Sequence, residues 1–389
     1  MFVNTRSAVG ADVAVHLMIV EHLDPRACRV SVATNSRAVD ARATRVRLAG
    51  APGVRTLPMN LGYELSGRRG AGRAASAAAN MGLLLAAAMR LSAEARARRV
   101  DVLHTTDRPR DALLTMLVAS LSGRRSLIHL HVKWGEHFGR MTRIAVARCD
   151  ALVAISQFVR GSLLAGGLPD SRIHVVLNAT DASAFDPTRA RHGAFRAQAG
   201  IARDAPLLLI AARIMVWKGH VDLVRALPDV RTRFPDVRLA IVGTEDALAG
   251  GGYTDMVRAA AREAGVEDCL AWVGWCDDMP GAFADADVVC VPSWEEPFGL
   301  VVTEAMAMER PVVAYDSGAL PEIVEHGVDG ILVPPREPPA LAAAIVDMLS
   351  DRGAAQAMGR RAREKVMARF SPRRQADEVT EVYRRVCGG

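Results

Sequence analysis

The chain has 389 residues, half of them apolar and a quarter charged, which fits two ordinary domains and excludes a disordered or collagen-like chain. The net charge of +6 is uneven: residues 1–180 carry 25 Arg/Lys against 12 Asp/Glu, or +13, and residues 181–389 carry 24 against 31, or −7. No nucleic-acid-binding module accompanies the basic half, and the longest apolar run, Met81–Met89, is too short to cross a bilayer.

The chain opens on a strand, MFVNT, with no basic-then-apolar leader. Further strands are expected at 29–34, 45–50, 100–105, 126–132, 151–156 and 172–178. A Gly/Arg-rich loop and one long Ala-rich helix fill 66–99. The stretch NATDASAFDPTRARHG (178–193) has turn residues and no apolar period, and marks a boundary. Beyond it, strands are expected at 206–212, 238–243, 270–274, 287–293, 311–316 and 330–335, each followed by a helical stretch. Most of these strands are continuous apolar runs, the pattern of parallel sheets covered on both faces. Two such blocks predict two doubly wound α/β domains, 1–182 and 183–370, with a final helix in 371–389. Cys28, Cys149, Cys269, Cys276, Cys290 and Cys387 form no C-x-x-C pair and no metal spacing, which points to a reducing, cytoplasmic setting.

Ligands of such sheets bind beyond the carboxyl ends of the strands, so the loops there carry the chemistry. After the strand at 206–212, AARIMVWKGH places Arg213 and Lys218 before Gly219, and Lys218 is one of only three lysines, with Lys133 and Lys365, beside 46 arginines. After the strand at 287–293, WEEPFG leads into the helix LVVTEAMAMER. Gly299 opens that helix, where free N–H groups and the helix dipole attract anions. Glu296 precedes the turn and Glu304 follows it, each able to accept two hydroxyl hydrogen bonds. Two cations, a helix start and two flanking carboxylates suit a ligand with a sugar, a diphosphate and a second sugar. Glu295 reads as surface. Asp285 and Asp287 form a D-x-D pair of the kind that binds a divalent cation, but they precede a strand instead of following one. Asp285 is expected at the surface of a helix end and Asp287 at the start of the strand, with no metal and no cofactor.

R-x4-KG, IVG, WVGW, VPSWEEPFGLVVTEAMA and GALPEIVEHGVDGILV, in this order, resemble the family 4 glycosyltransferases. The resemblance covers nearly the whole chain, most strongly 205–335. It implies the GT-B fold: two Rossmann-like domains facing across a cleft, with the C-terminal helix crossing back to the N-terminal domain. The first domain would bind the acceptor and the second the nucleotide sugar. Arg213 and Lys218 would hold the diphosphate, Glu296 the transferred sugar, the backbone of Phe298, Gly299 and Leu300 the sugar and phosphates, and Glu304 the ribose. Gly274, Trp275 and Cys276 would lie near the base, Gly10 near the diphosphate, and His131 near the anomeric carbon. Lys133, with Trp134 and Glu136 in the same loop, is an acceptor-side candidate. VGAD (9–12) and NATD (178–181) depart from the family's GGAE-like and NGVD sequences.

The implied reaction retains anomeric configuration and needs no metal. Front-face substitution, with the leaving diphosphate taking the acceptor's proton, is preferred to attack by Glu296. A soluble saccharide or natural product is the preferred acceptor. A lipid-linked glycan is the alternative, with the basic 68–99 helix making weak contact with the inner face of an anionic membrane. Outside this class stand a sugar-nucleotide epimerase or hydrolase on the same fold and a silent nucleotide-sugar-binding subunit.

Overall fold

A computed structural model describes residues 1–4, 10–36, 48, 51, 53–61, 71–245 and 251–388, without the side chains of 71–79. The chain divides into two compact units: unit one is Met1–Asn178 with Pro372–Gly389, and unit two is Ala179–Ser371. The first break thus falls four residues before the one expected after Ala182, and the last helix is counted with unit one.

Unit one contains β1 (Phe2–Asn4), β2 (Val30–Asn35), β3 (Val54–Met59), β4 (Val102–Thr106), β5 (Arg125–Leu130), β6 (Ala151–Ala154) and β7 (Ile173–Val175). They form one sheet in the order β3-β2-β1-β4-β5-β6-β7, every pairing parallel. Phe2 on β1 pairs with Val32 on one side and His104 on the other. The order reverses between β1 and β4, which places the switch point of this unit at the carboxyl ends of these two strands. Leu103, Leu127, Ile128, Leu130 and Leu152 are fully buried, as the apolar runs require.

Unit two repeats the design with β8 (Leu207–Ala211), β9 (Arg238–Val242), β10 (Leu270–Gly274), β11 (Val288–Val291), β12 (Val312–Tyr315) and β13 (Ile331–Val333). Their order is β10-β9-β8-β11-β12-β13, again all parallel, and the switch lies between β8 and β11. Its core joins Leu208, Ile210, Leu223, Leu227, Ile241, Val288, Val313 and Ile345 between sheet and helices.

Twelve of the expected strands coincide with observed ones. β3 was not among them: its sequence, VRTLPM, holds an Arg and a Pro and is only partly buried, because it is the edge strand. The strand expected over 45–50 lies outside the described residues except for Leu48, which is buried and helical.

Candidate functional site

The switch point of unit two assembles three loops, those after β8, β11 and β12. The first ends in the short 3-10 turn Val216–Lys218 and in Gly219 at φ +72°. A Cβ on Gly219 would fall on the Pro292 carbonyl oxygen, so only glycine lets this loop lie against the one after β11. The Trp294 N–H donates to the Trp217 carbonyl at 2.8 Å and closes the two loops together. Below them the Asp222 carboxylate accepts from Trp294 Nε1 (2.8 Å) and from the Tyr315 hydroxyl (3.2 Å). The third loop arrives through Gly318 at φ +63°, where a Cβ would stand 2.5 Å from both the N and the O of Glu296. Ala319 N–H donates to the Glu296 carbonyl at 2.8 Å, and Ser317 Oγ donates to the Trp294 carbonyl.

This scaffold fixes one polar contact at its centre. Lys218 Nζ donates to Glu296 Oε2 at 2.6 Å, with side-chain exposures of only 12% and 9%. The ammonium also stands 4.2 Å from the centre of the Trp217 ring. Arg213 is exposed in the same loop as Lys218. Glu295, adjacent in sequence to Glu296, is exposed. The strand-to-loop geometry therefore separates two neighbouring glutamates, one aimed inward and one outward.

Gly299 caps the helix Leu300–Ala307 at φ +112°. The helix is anchored by buried Val302, Ala305 and Met306, and by Thr303, whose hydroxyl lies 2.6 Å from that of Thr180. The Phe298 side chain is buried edge-on against Phe370, so only its backbone is available to a ligand. Glu304 is partly buried and, among the described residues, has no hydrogen-bond or ion-pair partner for its carboxyl. Burial pushes its pKa from the ordinary 4.5 to about 8. A carboxyl left in this state is what an incoming pair of hydroxyls would satisfy.

At the end of β10, Gly274 adopts φ +73° and its carbonyl accepts from Gly243 N–H at 2.7 Å. Trp275 is 73% exposed, with Nε1 bonded to Asp277, and Cys276 is partly buried.

The D-x-D pair needs correction. Asp285 is buried, not at the surface: it accepts from Gly193 N–H (2.6 Å) and Arg196 N–H (3.0 Å). Asp287 accepts from Arg196 Nη2 (2.9 Å) and Leu207 N–H (2.8 Å). Both carboxylates hold Arg196 and the start of unit two. The partners lie 80 or more positions away in sequence, which is why the local pattern misplaced Asp285.

In unit one, His131 follows β5 and its N–H donates to Asp107 Oδ2 at 2.9 Å. Burial is the main cause that lowers the His131 pKa to about 4 and raises that of Asp107 to about 7. His131 is therefore a neutral imidazole at pH 7. Gly10 caps the helix Ala11–His22 at φ −107°, and residues 5–9 of the preceding loop lie outside the described residues. The Trp134 ring stacks on Phe138 at 4.7 Å between centroids and leaves no room for a Cβ on Gly166, so it organises its own loop. Lys133 Nζ stands 5.7 Å from the centre of the Phe158 ring, and Glu136 is exposed.

Lys218 and Glu296, both singled out in the sequence, are brought together here, while their supports Asp222, Trp294 and Gly318 were not singled out. The signal for Gly318 was present: a glycine three residues beyond a buried strand, in one of the loops where ligands bind.

Two family models match, described as Glycosyltransferase Family 4 over residues 13–184 and Glycosyl transferases group 1 over residues 193–365. The chain belongs to glycosyltransferase family 4. It is 30% identical to the GDP-mannose-dependent alpha-(1-6)-phosphatidylinositol monomannoside mannosyltransferase of Mycolicibacterium smegmatis, over 64% of this chain and 67% of that protein. It is 31% identical to the alpha-maltose-1-phosphate synthase of Mycobacterium tuberculosis, over 62% and 65%. Across curated relatives the chain spans about half to two thirds of their length, 54–67%. Anabaena HepE in complex with UDP superimposes with a TM-score of 0.77 at 22% identity, covering 98% of both chains. That likeness shows the GT-B fold.

Proposed function

We propose that this family 4 member transfers a sugar from a nucleoside diphosphate sugar to an acceptor hydroxyl, with retention of configuration and no metal requirement. The observation that carries the reading is the buried Lys218–Glu296 pair at the switch point of unit two, beside the Gly299 helix start and the unpartnered Glu304 carboxyl. Lys218 and Glu296 pair with one another at 2.6 Å. On donor binding, Lys218 exchanges Glu296 for diphosphate oxygens, and the released carboxylate accepts from hydroxyls of the transferred sugar. Arg213 joins Lys218, the Leu300–Ala307 helix start adds its N–H groups, and Glu304 takes the ribose hydroxyls. Gly274, Trp275 and Cys276 border the base. As the glycosidic bond breaks, charge grows on the diphosphate, and the same cations stabilise it. Neutral His131 is assigned to the anomeric carbon, and Gly10 to the diphosphate, by the family resemblance alone.

The donor-side test is turnover of UDP-, GDP- and ADP-sugars with candidate acceptors in EDTA, analysed for glycoside, epimer and free sugar. Lys218→Ala should lower transfer about 10²–10³-fold. Full activity in that variant, or a strict need for Mn²⁺ or Mg²⁺, contradicts the assignment. An epimer or free sugar as the main product supports the other enzyme class.

For the acceptor, a soluble saccharide or natural product is the first reading. One observation favours the lipid-linked alternative: on the helix Ala71–Ala97, Met81, Leu85 and Met89 are exposed at 49%, 46% and 63%, four residues apart. With Arg90 and Arg96 also exposed, the strip suits an anionic bilayer surface. No helix among the described residues is long and apolar enough to cross a membrane. Flotation with anionic vesicles, lost in Met89→Asp, would support the lipid-linked acceptor; no flotation would support the soluble one.

A further inference from the structure

The interior of unit one holds an unusual group: four of the ten histidines touch one another. His16 comes from the helix Ala11–His22, His104 from β4, His129 from β5, and His131 from the loop that follows. His16, His104 and His129 are all but inaccessible, at 6%, 1% and 0% exposure. Phe2 stacks on His104 at 4.6 Å between centroids, so part of the group packs as an ordinary aromatic core.

Packing does not account for the nitrogens. His104 Nε2 and His129 Nδ1 are 3.3 Å apart, and His104 Nδ1 is 2.7 Å from the Tyr383 hydroxyl. A neutral imidazole carries one N–H. If His104 donates to His129, the proton of His129 sits on Nε2; if His129 donates, its Nε2 carries a bare lone pair. Either way His129 Nε2 is buried with no hydrogen-bond partner among the described residues. Leaving such an atom unsatisfied opposes folding.

We propose that His16, His104 and His129 form a binding site for a borderline transition-metal dication such as Zn²⁺. One nitrogen from each ring lies within 4.8 Å of the other two. Two imidazoles on a tetrahedral zinc, with Zn–N of about 2.0–2.1 Å, hold their nitrogens about 3.4 Å apart, a separation that His104 Nε2 and His129 Nδ1 match at 3.3 Å. Tyr383, on the last helix, would hold His104 from behind through Nδ1 and present Nε2 to the ion. Three nitrogens and no carboxylate among the ligands select against Mg²⁺ and Ca²⁺, which prefer oxygen. The nearby Asp12 carboxylate is held in an ion pair with Arg108 at 2.9 Å. The three histidines belong to unit one and touch His131, and the transfer proposed above needs no metal.

The test is metal binding to the full chain stripped with a chelator and dialysed. One Co²⁺ per chain is expected, with the visible absorption bands of a tetrahedral site, displaced by Zn²⁺. His129→Asn should abolish those bands, and Tyr383→Phe should weaken binding about 10–100-fold. X-ray absorption of the Zn²⁺-loaded wild type needs no variant and should show at least three imidazoles. Absence of stoichiometric Co²⁺, binding unchanged in His129→Asn, or a sulfur-containing first shell would each overturn the proposal.

Discussion

Glu304 combines three properties that belong together: partial burial, no partner among the described residues, and a pKa near 8. An acid whose pKa rises on folding holds its proton more tightly when folded, so its contribution to stability declines as pH rises from about 4.5 to 8. Glu304→Gln should therefore flatten the pH dependence of the melting temperature across that interval, measured by calorimetry. Nucleotide hydroxyls donate best to the ionised carboxylate. Affinity for a nucleoside diphosphate in the wild type should rise by up to about tenfold per unit as pH approaches 8. Binding near pH 7 should release a proton, which titration calorimetry in buffers of different ionisation enthalpy detects. The glutamine variant should bind roughly 10–100-fold more weakly, with no such proton release. At this scale much was legible in the sequence. Lys218 stood out by rarity and position, and Glu296 by its place before a helix-opening glycine. Asp285 was misplaced because its burial depends on Arg196 and Gly193, about ninety positions away.

The loops at the switch point are held by backbone contacts that admit no side chain. Gly318 is the clearest case, with positive φ and the Glu296 backbone 2.5 Å from where a Cβ would stand. Gly318→Ala should cost about 1–3 kcal/mol from the backbone conformation, plus whatever shift moves the Glu296 loop aside. Donor turnover should fall further than stability does, because Glu296 is displaced. Thermal unfolding and turnover measured side by side check this; full activity with a lowered melting temperature would confine Gly318 to folding. The parallel strands themselves were readable because burial on both faces writes continuous apolar runs. Edge strand β3 was not, because an edge carries polar residues and tolerates Pro58. How three loops interlock was also not legible, since those bonds join residues far apart in the chain.

At the scale of the molecule, the last helix, Pro372–Cys387, is counted with the unit that begins the chain. It packs on the helix Ala11–His22, buries Gln375, Ala376, Val379 and Val382, and reaches His104 through Tyr383. Arg374 donates to the Leu177 carbonyl at 2.6 Å, which ties this helix to the end of unit one. A chain ending at Ser371 should lose the cooperative unfolding transition of unit one and keep that of unit two, as followed by calorimetry. Retention of both transitions would show the helix to be dispensable. The two-unit plan was readable from the alternation of strands and helices, and the family resemblance, not periodicity, implied the return of the last helix. The proposed transfer rests above all on unit two holding a nucleoside diphosphate without metal. Titration calorimetry with UDP, GDP and ADP in EDTA tests this most directly: one should bind at one site per chain, and Lys218→Ala and Glu304→Gln should each weaken it at least tenfold while the fold persists. Failure of all three nucleotides to bind, or binding indifferent to both substitutions, would contradict it.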